Sequence, residues 1–273
     1  MNDVIPPEQL AGIEHPIPYC YVIASSAASI LVYGSAHLGP GDVKQAGLIF
    51  NALLQFAPTL IVIEGFEPLR ATLPLKERAS FIEKIKFGSI EESLCEGERG
   101  VALLYGSNNE IPIFSPEPTI NEQRNFLQKQ GAHPFRIDLF FAVRTVSSLM
   151  SYFHQNYEAA VTQMLARQRP DTRLFGLTPD RFKLLLRSTN LELPTDIELL
   201  RAAFDPTLPH KSDGYLWTNE IARSLTILRD SALVNFIFEK ANNLAKIFVL
   251  YGASHAVAIE PALRSNLDTG YQS

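Results

Sequence analysis

The chain has 273 residues, of which 46% are hydrophobic and 19% charged, and its formal net charge at pH 7 is -5. This length suits one large domain or two small ones, and the composition is typical of globular proteins rather than disordered or collagenous ones. Nucleic-acid binding is disfavoured because phosphate contacts need clustered Lys and Arg, and no such run occurs.

Neither a secretory leader nor a membrane-spanning segment is predicted. The first residues, Met1 to Val4, lack the basic and apolar regions of a signal peptide. The longest apolar run, from Tyr19 to Val32, is interrupted by Ser25 and Ser26 and is shorter than the ~20 residues that a membrane helix needs. We therefore expect a cytoplasmic protein without a membrane span.

Strand-like runs occur near the two ends of the chain. The first two flank a small polar turn and predict a hairpin, and the third is continuously apolar, as in strands buried on both faces of a parallel sheet. A helix is predicted from Asp42 to Phe56, with Asp42 as N-cap and Gln45 completing a capping box. The strand-like runs are Tyr19–Ala24, Ser29–Tyr33, Thr59–Glu64, Ile111–Phe114 and Lys246–Tyr251.

Residues 119–243 instead show helical periodicity almost throughout. The predicted fold class is α/β (α+β), with a small, mainly parallel sheet, flanking helices and a long all-helical insertion before the last strand. We expect a single domain over 1–273, with the sheet core in 15–118 and 244–273 and the insertion in 119–243.

A short internal repeat in the sequence contains two of the histidines. Tyr33-Gly34-Ser35-Ala36-His37 and Tyr251-Gly252-Ala253-Ser254-His255 share one form, and each follows an apolar strand. Gly permits a tight turn or a close backbone approach, and the His is then presented at the carboxyl end of the strand, where open sheets build ligand sites. A single such His is more often a capping or packing residue, but the repeated frame favours a site.

Glu64 ends the third predicted strand and would reach the same edge of the sheet. Two imidazoles and a carboxylate suit a divalent ion such as manganese, cobalt or zinc, among which the sequence does not choose. The predicted metal ligands are His37, Glu64 and His255. A metal at this site would activate water for hydrolysis.

These residues, taken in order, resemble the motifs of the TraB/Tiki superfamily. That group comprises Tiki metalloproteases, TraB-like pheromone-shutdown proteins, erythromycin esterase-like enzymes and ChaN-like haem-binding proteins. Its pattern has two GxxH motifs, a strand-end Glu and an Arg on a late helix. The matching segments are Gly34-Ser35-Ala36-His37, Val62-Ile63-Glu64-Gly65-Phe66, Leu228-Arg229-Asp230 and Gly252-Ala253-Ser254-His255.

The resemblance implies a hydrolase acting on an ester or amide bond of a small molecule or peptide. Its catalytic residues would be His37, Glu64, Arg229 and His255, with Arg229 binding an oxyanion or a substrate carboxylate or, alternatively, pairing with nearby acids. The family includes both metal-dependent members and members that use His and Glu as general bases.

Further residues are expected to support the site. Glu67 and Glu117 are candidate additional carboxylates, although Glu67 also suits an ordinary loop position, and Asp230 could orient a histidine. One alternative function is ChaN-like haem binding, in which Tyr33, Tyr251 and His residues would be ligands. The other is an inactive interaction scaffold.

Overall fold

The structure is a computed structural model and describes residues 3–39, 41–65, 87–153, 156–168, 172–191, 200, 202–208, 216–241 and 245–267. The chain divides into two compact units. The sheet unit comprises Met1–Thr119 and Ile227–Ser273, and the helical unit comprises Ile120–Thr226. The sequence assigned all of 119–243 to the insertion, whereas in the structure the residues from Ile227 onward belong to the sheet unit.

Within the described part of the chain, five strands form one sheet with the order β1-β2-β5-β3-β4. The first two strands form an antiparallel hairpin, and the remaining pairs are parallel. The predicted α/β class and mainly parallel sheet are thus confirmed. The strands are β1 (Tyr19–Ala24), β2 (Ala28–Ser35), β3 (Leu60–Ile63), β4 (Ile113–Phe114) and β5 (Ala245–Gly252).

The hairpin turn is closed by the hydroxyl of Ser25. Its Oγ accepts hydrogen bonds from the backbone N–H groups of Ala27 and Ala28, at 3.2 and 3.1 Å, and its own N–H donates to the carbonyl of Ala28. Small residues with a side-chain acceptor favour such turns. The small polar segment after β1 therefore reverses the chain as predicted.

Helices cover both faces of the sheet. The sheet unit contains α1 (Pro7–Leu10), α2 (Val43–Phe56), α3 (Ile90–Ser93), α4 (Glu98–Asn108) and α10 (Ala253–Leu267), and the second half of α9 (Trp217–Lys240). One face packs on α9 and α10, and the other on α2 and α4. Burial of both faces explains why β3 and β5 read as continuous apolar runs.

The start of α2 differs from the prediction. Asp42 occupies the N-cap position, but its carboxylate accepts a hydrogen bond from the N–H of Gly39 at 2.8 Å and makes no cap bond to the helix. The N–H of Asp42 donates to the carbonyl of Gly39, so it is already satisfied without Gln45. The predicted capping box is therefore wrong, because the preceding turn takes up the groups that it requires.

The helical unit has its own apolar core, which includes Val143, Met164 and Phe182. Asn156 and Thr178 begin two of its helices by accepting hydrogen bonds from the backbone N–H groups of Ala159 and Arg181. Across the described ranges of the whole chain, no helix has the length and apolar character required to span a bilayer. The described part of this unit includes α5 (Ile120–Lys129), α6 (Pro134–Phe153), α7 (Tyr157–Ala166), α8 (Pro179–Ser188) and the first half of α9.

Candidate active site

The two Tyr-Gly-x-x-His segments are offset by one residue in the sheet. Tyr33 lies opposite Leu250, and Gly34 lies opposite Tyr251. Side chains alternate between the faces of a sheet, so this offset sends the two tyrosines to opposite sides. Tyr33 packs in the core under α2 and α4, and Tyr251 packs in the core under α9 and α10.

The glycines of the two segments consequently serve different purposes. A Cβ placed on Gly34 would lie 2.8 Å from Cβ of Ala256 and 2.9 Å from Cα of Ala253, so Gly34 permits α10 to approach β2. A Cβ on Gly252 would lie 3.4 Å from Oε2 of Glu64 and near two imidazoles, 3.8 Å from Cδ2 of His255 and 4.0 Å from Cε1 of His37. The predicted His, Glu and His residues therefore meet around Gly252.

His37 follows β2 and is held by a carboxylate that no sequence pattern indicates. Its Nδ1 lies 2.9 Å from Oε1 of Glu98, the first residue of α4. The hydrogen bond with Glu98 raises the pKa of His37 above its ordinary value, against burial, which lowers it. The side chain of His37 is 62% exposed, so most of it is accessible to solvent.

Glu64 lies directly beyond β3 and is fixed through both oxygens. Oε2 accepts a hydrogen bond from the N–H of Gly252 at 2.8 Å, and Oε1 accepts one from Nη2 of Arg229 at 2.7 Å. Burial opposes ionisation, but His255, Arg229 and the Gly252 hydrogen bond lower the pKa of Glu64 to about 2. The carboxylate is therefore an anion at neutral pH.

Arg229, on α9, lies between two carboxylates. Its Nη2 also donates to Oε1 of Glu117 at 2.6 Å, and all three side chains are less than one-fifth exposed. Burial lowers the pKa of Arg229, but Glu117 and Glu64 raise it above its ordinary value, so the guanidinium stays charged. This geometry favours the ion-pair interpretation of Arg229 over a direct oxyanion contact.

His255, the third residue of α10, lies between Asp230 and Glu64. Its Nδ1 is 2.5 Å from Oδ1 of Asp230, and its Nε2 is 3.7 Å from Oε1 of Glu64. Burial lowers the pKa of His255, but Asp230 and Glu64 together raise it above its ordinary value. Its side chain is only 13% exposed, in contrast to that of His37.

Several buried polar atoms around the site have no hydrogen-bond partner among the described residues. They are Oγ of Ser35, Nε of Arg229, Oδ2 of Asp230 and the hydroxyl of Tyr251. Burial raises the pKa of Tyr251 well above its ordinary value, and Glu117 and Glu64 raise it further, so the hydroxyl stays protonated. Buried groups of this kind are usually satisfied, so the site has spare hydrogen-bonding capacity.

The predicted site residues are not all brought together. Most of them form one connected cluster, which consists of His37, Glu64, Glu117, Arg229, Asp230, Tyr251 and His255. Tyr33 instead stacks on Phe248, with ring centroids 6.2 Å apart, and burial raises its pKa to about 12. Glu67 lies outside the described residues.

Glu98 gave no signal in the sequence. An acidic residue at the start of a helix is common because it complements the helix dipole. Its contact with His37 spans 61 residues and depends on the packing of α4 against the sheet.

The donors around Gly252 are of the type that binds divalent ions. Imidazole nitrogen and carboxylate oxygen suit zinc and manganese, and metal-binding histidines usually donate their other N–H to a carboxylate, as Glu98 and Asp230 would accept here. The guanidinium of Arg229, however, already lies 2.7 Å from Oε1 of Glu64, so a positive charge stands beside the carboxylate that would bind the ion. Within the described ranges, no three His, Cys, Asp or Glu side chains are grouped closely enough to hold an ion as they stand.

No protein-family model, curated protein or solved structure matches this chain. The resemblance to the TraB/Tiki superfamily therefore rests on the four short motifs, and membership of that superfamily stays a prediction.

Proposed function

We propose that the protein is a hydrolase that cleaves an ester or amide bond of a small molecule or peptide, with water activated by His37, Glu64 and His255. The observation that carries the proposal is the convergence of two carboxylate-held imidazoles and an anionic Glu64 around Gly252. The imidazoles can act as bases when neutral and as acids when protonated, and Glu64 supplies a fixed negative charge beside them.

His37 is the residue best placed to exchange protons with water and substrate. Donation of its Nδ1–H to Glu98 leaves Nε2 with a lone pair that can take a proton from water as the oxygen attacks the carbonyl carbon. The imidazolium so formed can then deliver this proton to the departing alcohol or amine. Its 62% exposure makes this exchange possible.

His255 and Glu64 provide the buried electrostatic support. Glu64 is held as an anion and lies 3.7 Å from the imidazole of His255, so it stabilises a positive charge there. Arg229 holds the Glu64 carboxylate in place from the other side. The charge that develops on the imidazoles is thus balanced by groups that are already oriented.

A divalent ion is the second part of the proposal. Nε2 of His37, Nε2 of His255 and Oε1 of Glu64 would hold it, because the Nδ1 atoms are taken by Glu98 and Asp230. These three side chains would have to move closer together around the ion, and Oε1 would exchange its hydrogen bond from Arg229 for the ion. The bound ion would polarise the carbonyl and lower the pKa of the attacking water.

The test is hydrolysis of a panel of activated aryl esters and short peptides by the purified protein. We expect turnover that falls at least about 100-fold in His37→Ala and in His255→Ala, in line with the loss of acid–base catalysis. His15→Ala is the matched control, because Nδ1 of His15 lies 3.3 Å from the carbonyl oxygen of Pro16 and its ring packs edge-on against Tyr19, whereas the proposed reaction uses neither residue. Full activity in the His37→Ala/His255→Ala double variant would overturn the proposal.

The same preparation tests the metal. Elemental analysis should find about one divalent ion per chain, and a chelator should abolish activity that the ion restores. Turnover that is unchanged by the chelator would overturn the metal part and leave the acid–base part standing.

The geometry gives less support to haem binding. Tyr33 and Tyr251 are 6% and 1% exposed and lie on opposite faces of the sheet, so they do not form one ligand pair. A haem absorption band that is lost in His255→Ala, together with no turnover of any ester or peptide, would favour haem binding over hydrolysis.

A further inference from the structure

We infer that Glu98 is a positioning residue for His37, because its carboxylate holds both the imidazole and the backbone of the segment that follows β2. The inference rests on the proposed function only where turnover is the readout. The geometry itself is independent of the reaction.

One carboxylate makes two separate contacts with this segment. Oε1 of Glu98 lies 2.9 Å from Nδ1 of His37, and Oε2 accepts a hydrogen bond from the N–H of Leu38 at 3.0 Å. Glu98 is only 14% exposed, and hydrogen bonds to an ionised acceptor are stronger than those between neutral groups. Both the ring and the peptide that carries it are therefore fixed.

Gly97 brings Glu98 to this position. Its φ of +65° is one that residues with a side chain rarely adopt, and a Cβ there would lie 3.2 Å from the carbonyl oxygen of Leu38. Gly97 thus lets the start of α4 approach the segment after β2. The local backbone and the carboxylate act on the same two residues, His37 and Leu38.

The body of α4 is a rigid support for this carboxylate. Val101, Ala102 and Leu103 are at most 1% exposed and pack in the core under the sheet face that also buries Tyr33. A side chain on a packed helix is held more precisely than one on a loop. His37 itself lies on a loop, so its orientation is supplied by α4.

The contact also selects the tautomer of His37. A carboxylate accepts but cannot donate, so the neutral ring must carry its proton on Nδ1 and leave the lone pair on Nε2. That is the form that general-base catalysis or metal binding requires. Asp230 imposes the same choice on His255, so each of the two histidines is held in this tautomer by a carboxylate at its Nδ1.

The first test measures the tautomer of His37 and needs no substrate. The imidazole nitrogens of His37 are followed by NMR in protein labelled with ¹⁵N-histidine, with assignment from His37→Ala, at a pH where the ring is neutral. We expect Nδ1–H in the wild type and a shift to Nε2–H in Glu98→Ala. Glu96→Gln is the matched control, because Glu96 lies two residues before Glu98 and pairs with Arg99. An unchanged tautomer in Glu98→Ala would overturn the inference.

The second test measures kcat and KM for the hydrolysis reaction. Glu98→Ala should lower kcat about 10- to 100-fold with KM little changed, the usual cost of removing a residue that orients a functional histidine. Glu98→Gln keeps one acceptor oxygen for two donors, so it should retain more activity, and it serves if Glu98→Ala does not fold. Normal kcat in both Glu98 variants would refute positioning while leaving hydrolysis intact. If the wild type turns over none of the substrates, the proposed function fails and the tautomer still decides the role of Glu98.

Discussion

Nδ1 of His255 lies 2.5 Å from Oδ1 of Asp230, a carboxylate that is itself only 1% exposed. Each group is therefore buried against the other. Burial alone would keep the imidazole neutral, but the anion raises its pKa above the ordinary value. Because the pKa is higher in the folded state, this pair stabilises the fold fully below the unfolded value of about 6.5 and loses that contribution as the pH rises through the folded value.

Asp230→Asn should lower the pKa of His255, measured by NMR, because the neutral amide removes the nearest negative charge. The decline in the free energy of unfolding above about pH 6.5 should become smaller than in the wild type. Glu239→Gln, which changes an exposed carboxylate on the same helix, should alter neither quantity. An unchanged His255 pKa in Asp230→Asn would contradict the pairing.

The strands could be predicted from the sequence because burial on both faces leaves continuous apolar runs. The order of the strands could not be predicted in the same way. β5 pairs between β2 and β3, although it follows them by roughly two-thirds of the chain or more. Such pairing depends on contacts between distant segments, which local periodicity does not encode.

The site could be predicted only in part. His37, Glu64 and His255 each follow a strand, so their common location at one edge of the sheet follows from the pattern. The one-residue offset that separates Tyr33 from Tyr251 does not, because it is a property of how β2 and β5 pair. Glu98 was missed for a related reason, since its role depends on the packing of a helix.

Arg229 should be essential for stability because it separates two buried acids. Arg229→Met would remove the cation that Glu64 and Glu117 share, and breaking a buried ion pair typically costs about 3–5 kcal/mol. Urea unfolding should show this loss, and adding Glu117→Gln should recover part of it by removing one negative charge. Arg264→Met, which breaks a more exposed pair, should cost no more than about 1 kcal/mol. Equal losses in Arg229→Met and Arg264→Met would be inconsistent with this role.

The two glycines of the repeated motif should respond differently to Ala. In Gly34→Ala the new Cβ meets Ala256 and the backbone of α10 at under 3.0 Å, so we expect a loss of about 1–3 kcal/mol in the free energy of unfolding. In Gly252→Ala the nearest atom is Oε2 of Glu64 at 3.4 Å, so stability should change by less than about 1 kcal/mol.

Gly252→Ala should instead reduce turnover, because the methyl group occupies space between Glu64 and the two imidazoles. Thermal unfolding and ester hydrolysis of both variants check the contrast. Similar stability losses in the two variants, with similar activity, would show that the offset has no functional consequence.

Glu64 should make the fold sensitive to acid. Its pKa falls from 4.5 to about 2 on folding, so its charge stabilises the native state above the unfolded value, and this contribution is lost as the pH falls between those two values. The shift corresponds to on the order of 3 kcal/mol. Glu64→Gln should therefore flatten the pH dependence of urea unfolding between about pH 4.5 and 2.

Glu158→Gln provides the comparison, because Glu158 is an exposed carboxylate of the helical unit that pairs with Lys183. The pH dependence of urea unfolding in Glu158→Gln should match that of the wild type. If Glu64→Gln keeps the full wild-type slope, then Glu64 is not the anion that Arg229, His255 and the Gly252 N–H hold in the folded protein, and the charge balance proposed for the site is wrong.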